Sequence, residues 1–186
     1  MNLYLFNANA SAAVYGIGTY IKELAQALED SGIHVHIVYL HSIRPEFEIV
    51  KPNQFEEWYI PGVQNYNTFS DSVQLIENYC RNVIYLFRRY VKDTKDLAFH
   101  FNFNSYQSLA KGLKSVFDCK TITTVHYSRW SIELQGNLSL LHTIKKKPEN
   151  QRNANEQWLL STDEYESLLY KEVDKVIVLS QDMKYV

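Results

Sequence analysis

The sequence predicts an α/β fold, a doubly wound and mostly parallel sheet with helices on both faces. Three observations predict this class. Short apolar runs alternate along the chain with segments of helical periodicity. The run at residues 33–40 is β-branched and almost continuously apolar, which is typical of strands buried on both faces. Strand, helix and strand follow one another within residues 2–40, the order of a βαβ unit with parallel strands.

The amino-terminal part of the chain shows this unit most clearly. The apolar run "NLYLF" at residues 2–6 predicts a buried strand. The helix that follows has apolar residues at spacings of three, four and seven, which places them on one face: Ile17, Tyr20, Ile21, Leu24 and Leu28. Gly32 stands where a helix is normally capped by glycine, and the strand at residues 33–40 follows it.

The remaining elements are predicted from the same patterns. Residues 41–68 are looser and hold three of the four prolines, with a short strand expected at 56–60. The spacing of apolar residues then predicts helices over 69–93, 105–117 and 156–173 and strands over 96–101, 121–125 and 175–179. The final "QDMKYV" at 181–186 resembles the first turns of another helix, so we expect the chain to be part of a longer protein.

Composition and length indicate one globular domain and argue against several functions. The 186 residues are 46% hydrophobic and carry a net charge of −2, whereas nucleic-acid-binding proteins normally carry a basic excess. The basic run Lys145–Lys147 is interpreted as a solvated loop, with a phosphate or membrane contact as the alternative. Cys80 and Cys119 lack disulfide or zinc spacing and fit a reducing, cytoplasmic compartment. The sequence shows no signal peptide and no membrane-spanning stretch.

Ligands of doubly wound sheets bind at the carboxyl ends of the strands, where three segments are candidates: residues 15–18, 102–105 and 126–130. Gly16 and Gly18 open the first helix, where backbone N–H groups and the helix dipole favour a phosphate or carboxylate. A plain tight turn is the alternative. The dinucleotide fingerprint GxGxxG fails at its third glycine, and the second strand ends without an acid for a ribose, which disfavours a nucleotide-dependent oxidoreductase. The GK[ST] of a phosphate-binding loop is also missing.

His126 is the candidate catalytic residue because it ends a predicted strand. Its imidazole could hydrogen-bond to a sugar hydroxyl or phosphate, or act as an acid or base, and a local backbone hydrogen bond is the alternative. His100 lies within a strand and is expected to be a hydrogen-bonded core residue. His34 and His36 alternate on one strand face without a third ligand nearby, so no metal site is expected, and no cofactor.

Several motifs together resemble family 4 glycosyltransferases of the GT-B fold. "GIGTYIKELAQALEDSGIHVHIV" (16–38) resembles their opening glycine turn, helix and strand, with Tyr15 in place of the first glycine. "DLAFHFN" (96–102) resembles the family's strand of the type DxxHxH. "TITTVH" (121–126) resembles its TxHD strand end, with Tyr127 in place of the aspartate. "KEVDKVIVLSQDMK" (171–184) resembles the end of the family's amino-terminal half.

The resemblance implies that residues 1–186 are the amino-terminal, acceptor-side Rossmann-like domain of a two-domain enzyme whose donor-binding carboxyl-terminal domain lies outside this chain. It implies retaining transfer, with hexosyl transfer expected, from a UDP- or GDP-sugar to a glycan or lipid-linked acceptor in polysaccharide biosynthesis. We expect the cytoplasm, with peripheral contact at the inner membrane face, and no activity from this part alone. Gly16, Ile17 and Gly18 would lie near the donor phosphate and sugar, and His126 would face the transferred sugar.

Four residues at the candidate segments suit a polyhydroxylated acceptor, through stacking and hydrogen bonds: Asn102, Asn104, Tyr127 and Trp130. A non-catalytic α/β module that binds a nucleotide or another ligand remains the alternative to an enzyme.

Overall fold

The computed structural model describes residues 1–8, 16–62, 69–92 and 95–179. Its elements are, in chain order, β1 Asn2–Asn7, α1 Gly16–Glu29, β2 His34–Ser42, β3 Glu48–Val50, β4 Glu56–Pro61, α2 Phe69–Tyr90, β5 Leu97–Phe101, α3 Gln107–Val116, β6 Cys119–Val125, α4 Arg129–Glu133, α5 Leu138–Lys146, a short 3-10 helix Glu149–Gln151, α6 Ala154–Glu172 and β7 Lys175–Val178. All six strands expected from the sequence are present. The helical start expected at 181–186 lies outside the described residues.

The seven strands of the described residues form one sheet in the order β3-β4-β2-β1-β5-β6-β7, with β1 in the middle. Every pair is parallel except β3 with β4. In the centre, Leu5 of β1 is paired with Ile37 of β2 and with His100 of β5. The chain therefore winds outward from β1 in both directions, which confirms the predicted doubly wound sheet.

One face of the sheet is covered by α2 and α3, with a contribution from α6 through Leu169. Its core is rich in aromatic rings. Phe87 of α2 is fully buried, with its ring centroid 5.3 Å from that of Phe6 and 4.9 Å from that of Trp58. Phe99 of β5 lies 5.7 Å away in an edge-on arrangement. Such aromatic pairs add packing energy beyond the apolar area that they bury.

The opposite face is covered by α1, whose Ile21 and Ala25 are buried against β1, β2 and β5. The helix ends at the expected glycine. Gly32 has φ +80°, its N–H donates to Glu29 O at 2.8 Å, and Ile33 N–H donates to Leu28 O at 3.1 Å. This pair of hydrogen bonds is a Schellman cap, which needs a residue that tolerates the left-handed conformation.

The polar stretch between β6 and α6 contains two helices that the sequence pattern did not predict. α4 and α5 pack with α6 around a separate small core of four buried side chains: Trp130, Leu141, Ile144 and Leu159. The basic run also differs from its interpretation as a solvated loop, because it ends α5 and pairs with α6. Lys145 lies 2.8 Å from Asp163, and Lys147 lies 2.5 Å from Glu156.

Cys80 and Cys119 are both free thiols. Cys80 is buried on the sheet-facing side of α2, and burial raises the pKa of its thiol to about 12. No helix among the described residues is long and apolar enough to cross a membrane.

The aromatic core gives a direct test of the packing. Phe87→Ala should lower the free energy of unfolding by about 3–5 kcal/mol, because it leaves a cavity among four aromatic rings. Tyr85→Ala on the same helix is the control, since its side chain is 61% exposed, and should change stability by about 0.5 kcal/mol or less. Denaturant unfolding measures both, and equal effects would contradict this packing.

Candidate functional site

The carboxyl ends of β1, β5 and β6 meet at one edge of the sheet and carry the candidate residues. Asn102 follows β5 directly and is 3% exposed. Its backbone N–H donates to Phe6 O of β1 at 3.1 Å, and its side-chain Nδ2 donates to the same oxygen at 3.2 Å. Two hydrogen bonds to one carbonyl fix both the backbone and the side chain of Asn102.

His126 follows β6 and lies against Asn102. Its Nε2 is 3.1 Å from Asn102 Oδ1. Because Nδ2 of Asn102 already donates to Phe6 O, Oδ1 must accept, which places the imidazole proton on Nε2 of His126. Burial lowers the pKa of His126 below its ordinary value, so that the ring is neutral at pH 7. No hydrogen bond to Nδ1 is found among the described residues.

Tyr20 of α1 ties the start of that helix to His126. The two ring centroids are 4.8 Å apart with the planes at 80°. The Tyr20 hydroxyl lies 3.5 Å from Thr124 Oγ1, which in turn lies 2.7 Å from Nε2 of His100. His100 is 4% exposed, and burial, with a smaller effect of His126, lowers its pKa to about 4. His100 is thus the hydrogen-bonded core residue that the sequence predicted.

The glycines of α1 lie one helical turn before this contact. Gly16 and Tyr20 are four residues apart and therefore share one side of the helix. Gly18 is buried, whereas Gly16 is exposed and a Cβ there would meet no described atom within 4 Å. The preceding turn, including Tyr15, lies outside the described residues.

The predicted acceptor residues differ in exposure. Tyr127 is 47% exposed, and its carbonyl accepts a hydrogen bond from Nδ2 of Asn104. Trp130 is only 2% exposed because it packs in the small core of α4, α5 and α6. Burial leaves too little of this ring at the surface for an acceptor to stack on it, so we do not place Trp130 in the site.

A family model for glycosyltransferase family 4 matches residues 14–186. The chain belongs to glycosyltransferase family 4. Two structures of sucrose-phosphate synthase from Thermosynechococcus elongatus are similar in fold. One has a TM-score of 0.58 at 12% identity, covering 99% of this chain and 79% of that chain. The other has a TM-score of 0.53 at 12% identity, covering 96% and 47%. No curated protein matches this chain in sequence.

An α,α-trehalose-phosphate synthase (UDP-forming) from Burkholderia vietnamiensis aligns with a TM-score of 0.48 at 8% identity, over 95% of this chain and 39% of that chain. The two sucrose-phosphate synthase structures have the GT-B fold, so the fold of this family 4 domain agrees with the resemblance seen in its sequence. This chain spans less than half the length of that trehalose-phosphate synthase chain and of the longer sucrose-phosphate synthase chain.

Sequence reasoning missed a second polar cluster at the same edge of this family 4 domain. His41, the last residue but one of β2, stacks on Tyr79 of α2 with ring centroids 4.1 Å apart. Its Nε2 lies 2.8 Å from the hydroxyl of Tyr106, just before α3. His41 and Tyr106 both have positive φ, 51° and 68°, a costly conformation for residues with bulky side chains. His41 directly follows the apolar run 33–40, and this position in the sequence could have indicated the cluster.

The described residues contain no group of three or more His, Cys, Asp or Glu side chains placed to hold a metal ion.

Buried neutral histidines make stability depend on pH. The pKa of His100 is about 4 in the folded protein and 6.5 ordinarily, so the unfolded state binds the proton first as the pH falls. The free energy of unfolding should fall by up to about 3 kcal/mol between pH 6.5 and pH 4 through His100, with His126 acting in the same direction.

His100→Gln should remove most of this slope, measured by denaturant unfolding at a series of pH values. Above pH 7 the stability difference between the two proteins should be constant, which serves as the internal control. A wild-type slope retained in His100→Gln would contradict the assignment of a buried neutral imidazole.

Proposed function

We propose that this chain is the amino-terminal, acceptor-side domain of a retaining glycosyltransferase that transfers a hexosyl unit from a UDP- or GDP-sugar to a glycan or lipid-linked acceptor. The observation that carries the proposal is the position of His126. Its neutral ring lies at the carboxyl edge of the sheet, held by Asn102 on one nitrogen and packed on Tyr20 of the first helical turns. Membership of family 4 supports the reaction class.

The start of α1 provides the group that glycosyl transfer needs near the donor. Negative charge builds up on the diphosphate as the sugar leaves it, and preorganised donors lower the barrier to that step. We assign the backbone N–H groups of Gly16, Ile17 and Gly18 to this role, because first-turn N–H groups have no partner within the helix and lie at the positive end of its dipole. Gly16 is exposed, and a Cβ there would meet no described atom within 4 Å.

His126 has a defined role in this proposal. Its Nδ1 accepts a hydrogen bond from a hydroxyl of the transferred sugar, while Nε2–H donates to Asn102. Asn102 uses its side-chain nitrogen on Phe6 O and its oxygen on His126. We therefore assign Asn102 to holding the imidazole rather than to binding the acceptor.

The acceptor would meet the exposed Tyr127 ring, which can stack on a sugar, with Asn104 beneath it. The donor-binding domain would come from chain outside these 186 residues, in line with the 47% of the sucrose-phosphate synthase chain that this domain covers. By itself the domain would then transfer no sugar. We place the enzyme in polysaccharide biosynthesis in the cytoplasm, at the inner membrane face when the acceptor is lipid-linked.

Variants of the full-length enzyme test the proposal. Gly18→Val puts a β-branched side chain at the buried start of α1, and His126→Ala removes the sugar-facing imidazole. Each should lower turnover by at least about tenfold, a barrier increase of about 1.4 kcal/mol or more. Turnover is measured as UDP or GDP release from a set of UDP- and GDP-sugars with glycan and lipid-linked acceptors.

His142→Ala, an exposed histidine on α5, is the matched control and should keep wild-type turnover. Thermal melts separate lost activity from lost fold, and His126→Ala decides the question if Gly18→Val does not fold. Wild-type turnover in His126→Ala would show that the histidine is structural.

A further inference from the structure

We propose that Glu166 of α6 is a positioning residue for the segment 126–129, which carries His126 and Tyr127. This inference deepens the proposed function and rests on it for the meaning of the site. It concerns a side chain that no motif of the sequence singled out. Glu166 is 8% exposed although α6 lies at the surface of the domain.

The first contact is to the backbone just after the site. The N–H of Arg129 lies 3.3 Å from each carboxylate oxygen of Glu166. The Arg129 guanidinium lies 3.8 Å from the carboxylate of Glu133 and 5.7 Å from the Trp158 ring. Glu166 therefore accepts its hydrogen bonds from the main chain of Arg129. The contact fixes the path of the backbone rather than a mobile side chain.

The second contact is to the loop after β5. The side chain of Asn104 favours the charged form of Glu166, and its Nδ2 donates to the carbonyl of Tyr127. Glu166 thus holds the backbone directly at Arg129, while its neighbour Asn104 holds the carbonyl of Tyr127 on the other side of Ser128. Ser128 itself is fully buried, so this short segment has little freedom between the two contacts.

Holding a loop with a buried carboxylate lowers the stability of the fold. Burial raises the pKa of Glu166 and the nearby Asp163 acts in the same direction, while the hydrogen bonds from Arg129 and Asn104 oppose the shift. A glutamine would avoid the buried charge, but its single oxygen cannot receive two donors as strongly as a carboxylate does.

The matched pair Glu166→Gln and Glu164→Gln tests this in the full chain, since Glu164 lies two residues earlier on α6 and is exposed. Backbone amide exchange at Arg129, followed by NMR, should be at least about tenfold faster in Glu166→Gln, because a charge-assisted hydrogen bond is weakened. The Cε1–H resonance of His126 should shift as well. Glu164→Gln should match the wild type in both readouts.

Unchanged exchange and an unchanged His126 resonance in Glu166→Gln would overturn the proposal. So would a uniform increase in exchange across α6 and the sheet, because that marks a purely structural residue. If Glu166→Gln does not fold, Glu166→Asp decides: the shorter side chain withdraws the carboxylate from the Arg129 N–H and should speed amide exchange there, and wild-type exchange at Arg129 would overturn the proposal.

None of these readouts needs a sugar donor. Faster exchange at Arg129 therefore supports the positioning role even where His126→Ala keeps its turnover, and the failure of one proposal is distinguishable from the failure of the other.

Discussion

The parallel pairing of β1 with β5 and of β5 with β6 is the constraint on which the rest of the site depends. It brings three strand ends to one edge, so that residues far apart in sequence become neighbours. Phe6 O at the end of β1 then accepts both donors of Asn102, and Asn102 in turn receives the Nε2–H of His126. A shift of one residue in either pairing would turn these side chains to the opposite face of the sheet.

Much of this arrangement could be predicted from sequence because buried parallel strands leave a strong local signal. The run at 33–40 is apolar on both faces because α1 covers one side of β2 and the aromatic core covers the other. His126 and Asn102 could be placed at the sheet edge because parallel strands all end on the same side. Gly32 could be placed because a Schellman cap needs a residue that tolerates positive φ.

The parts that could not be predicted depend on contacts between distant segments. β3 is only three residues long and exists because β4 pairs with it. The apolar residues of α4 and α5 become a core only when α6 supplies Leu159. For the same reason Trp130 seemed suited to stacking on a ligand, whereas that core buries it. Glu166 gave no local signal, because its partners Arg129 and Asn104 lie 37 residues away and in another loop.

The carboxyl edge of the sheet contains buried ionisable side chains, which lower the stability of the fold, and neighbours that hold these side chains in place. Burial keeps His100 and His126 neutral, and it disfavours the charge of Glu166. Such perturbed groups gather where a protein needs a defined proton position or geometry. Here His126 is held by Asn102 and packs on Tyr20 of α1.

The most direct test of this account is a crystal structure of the full-length enzyme with an intact UDP- or GDP-sugar bound. We expect the diphosphate within hydrogen-bonding distance of the backbone N–H groups of Gly16–Gly18, and a sugar hydroxyl donating to Nδ1 of His126. A bound donor that contacts neither the start of α1 nor His126 would contradict the account.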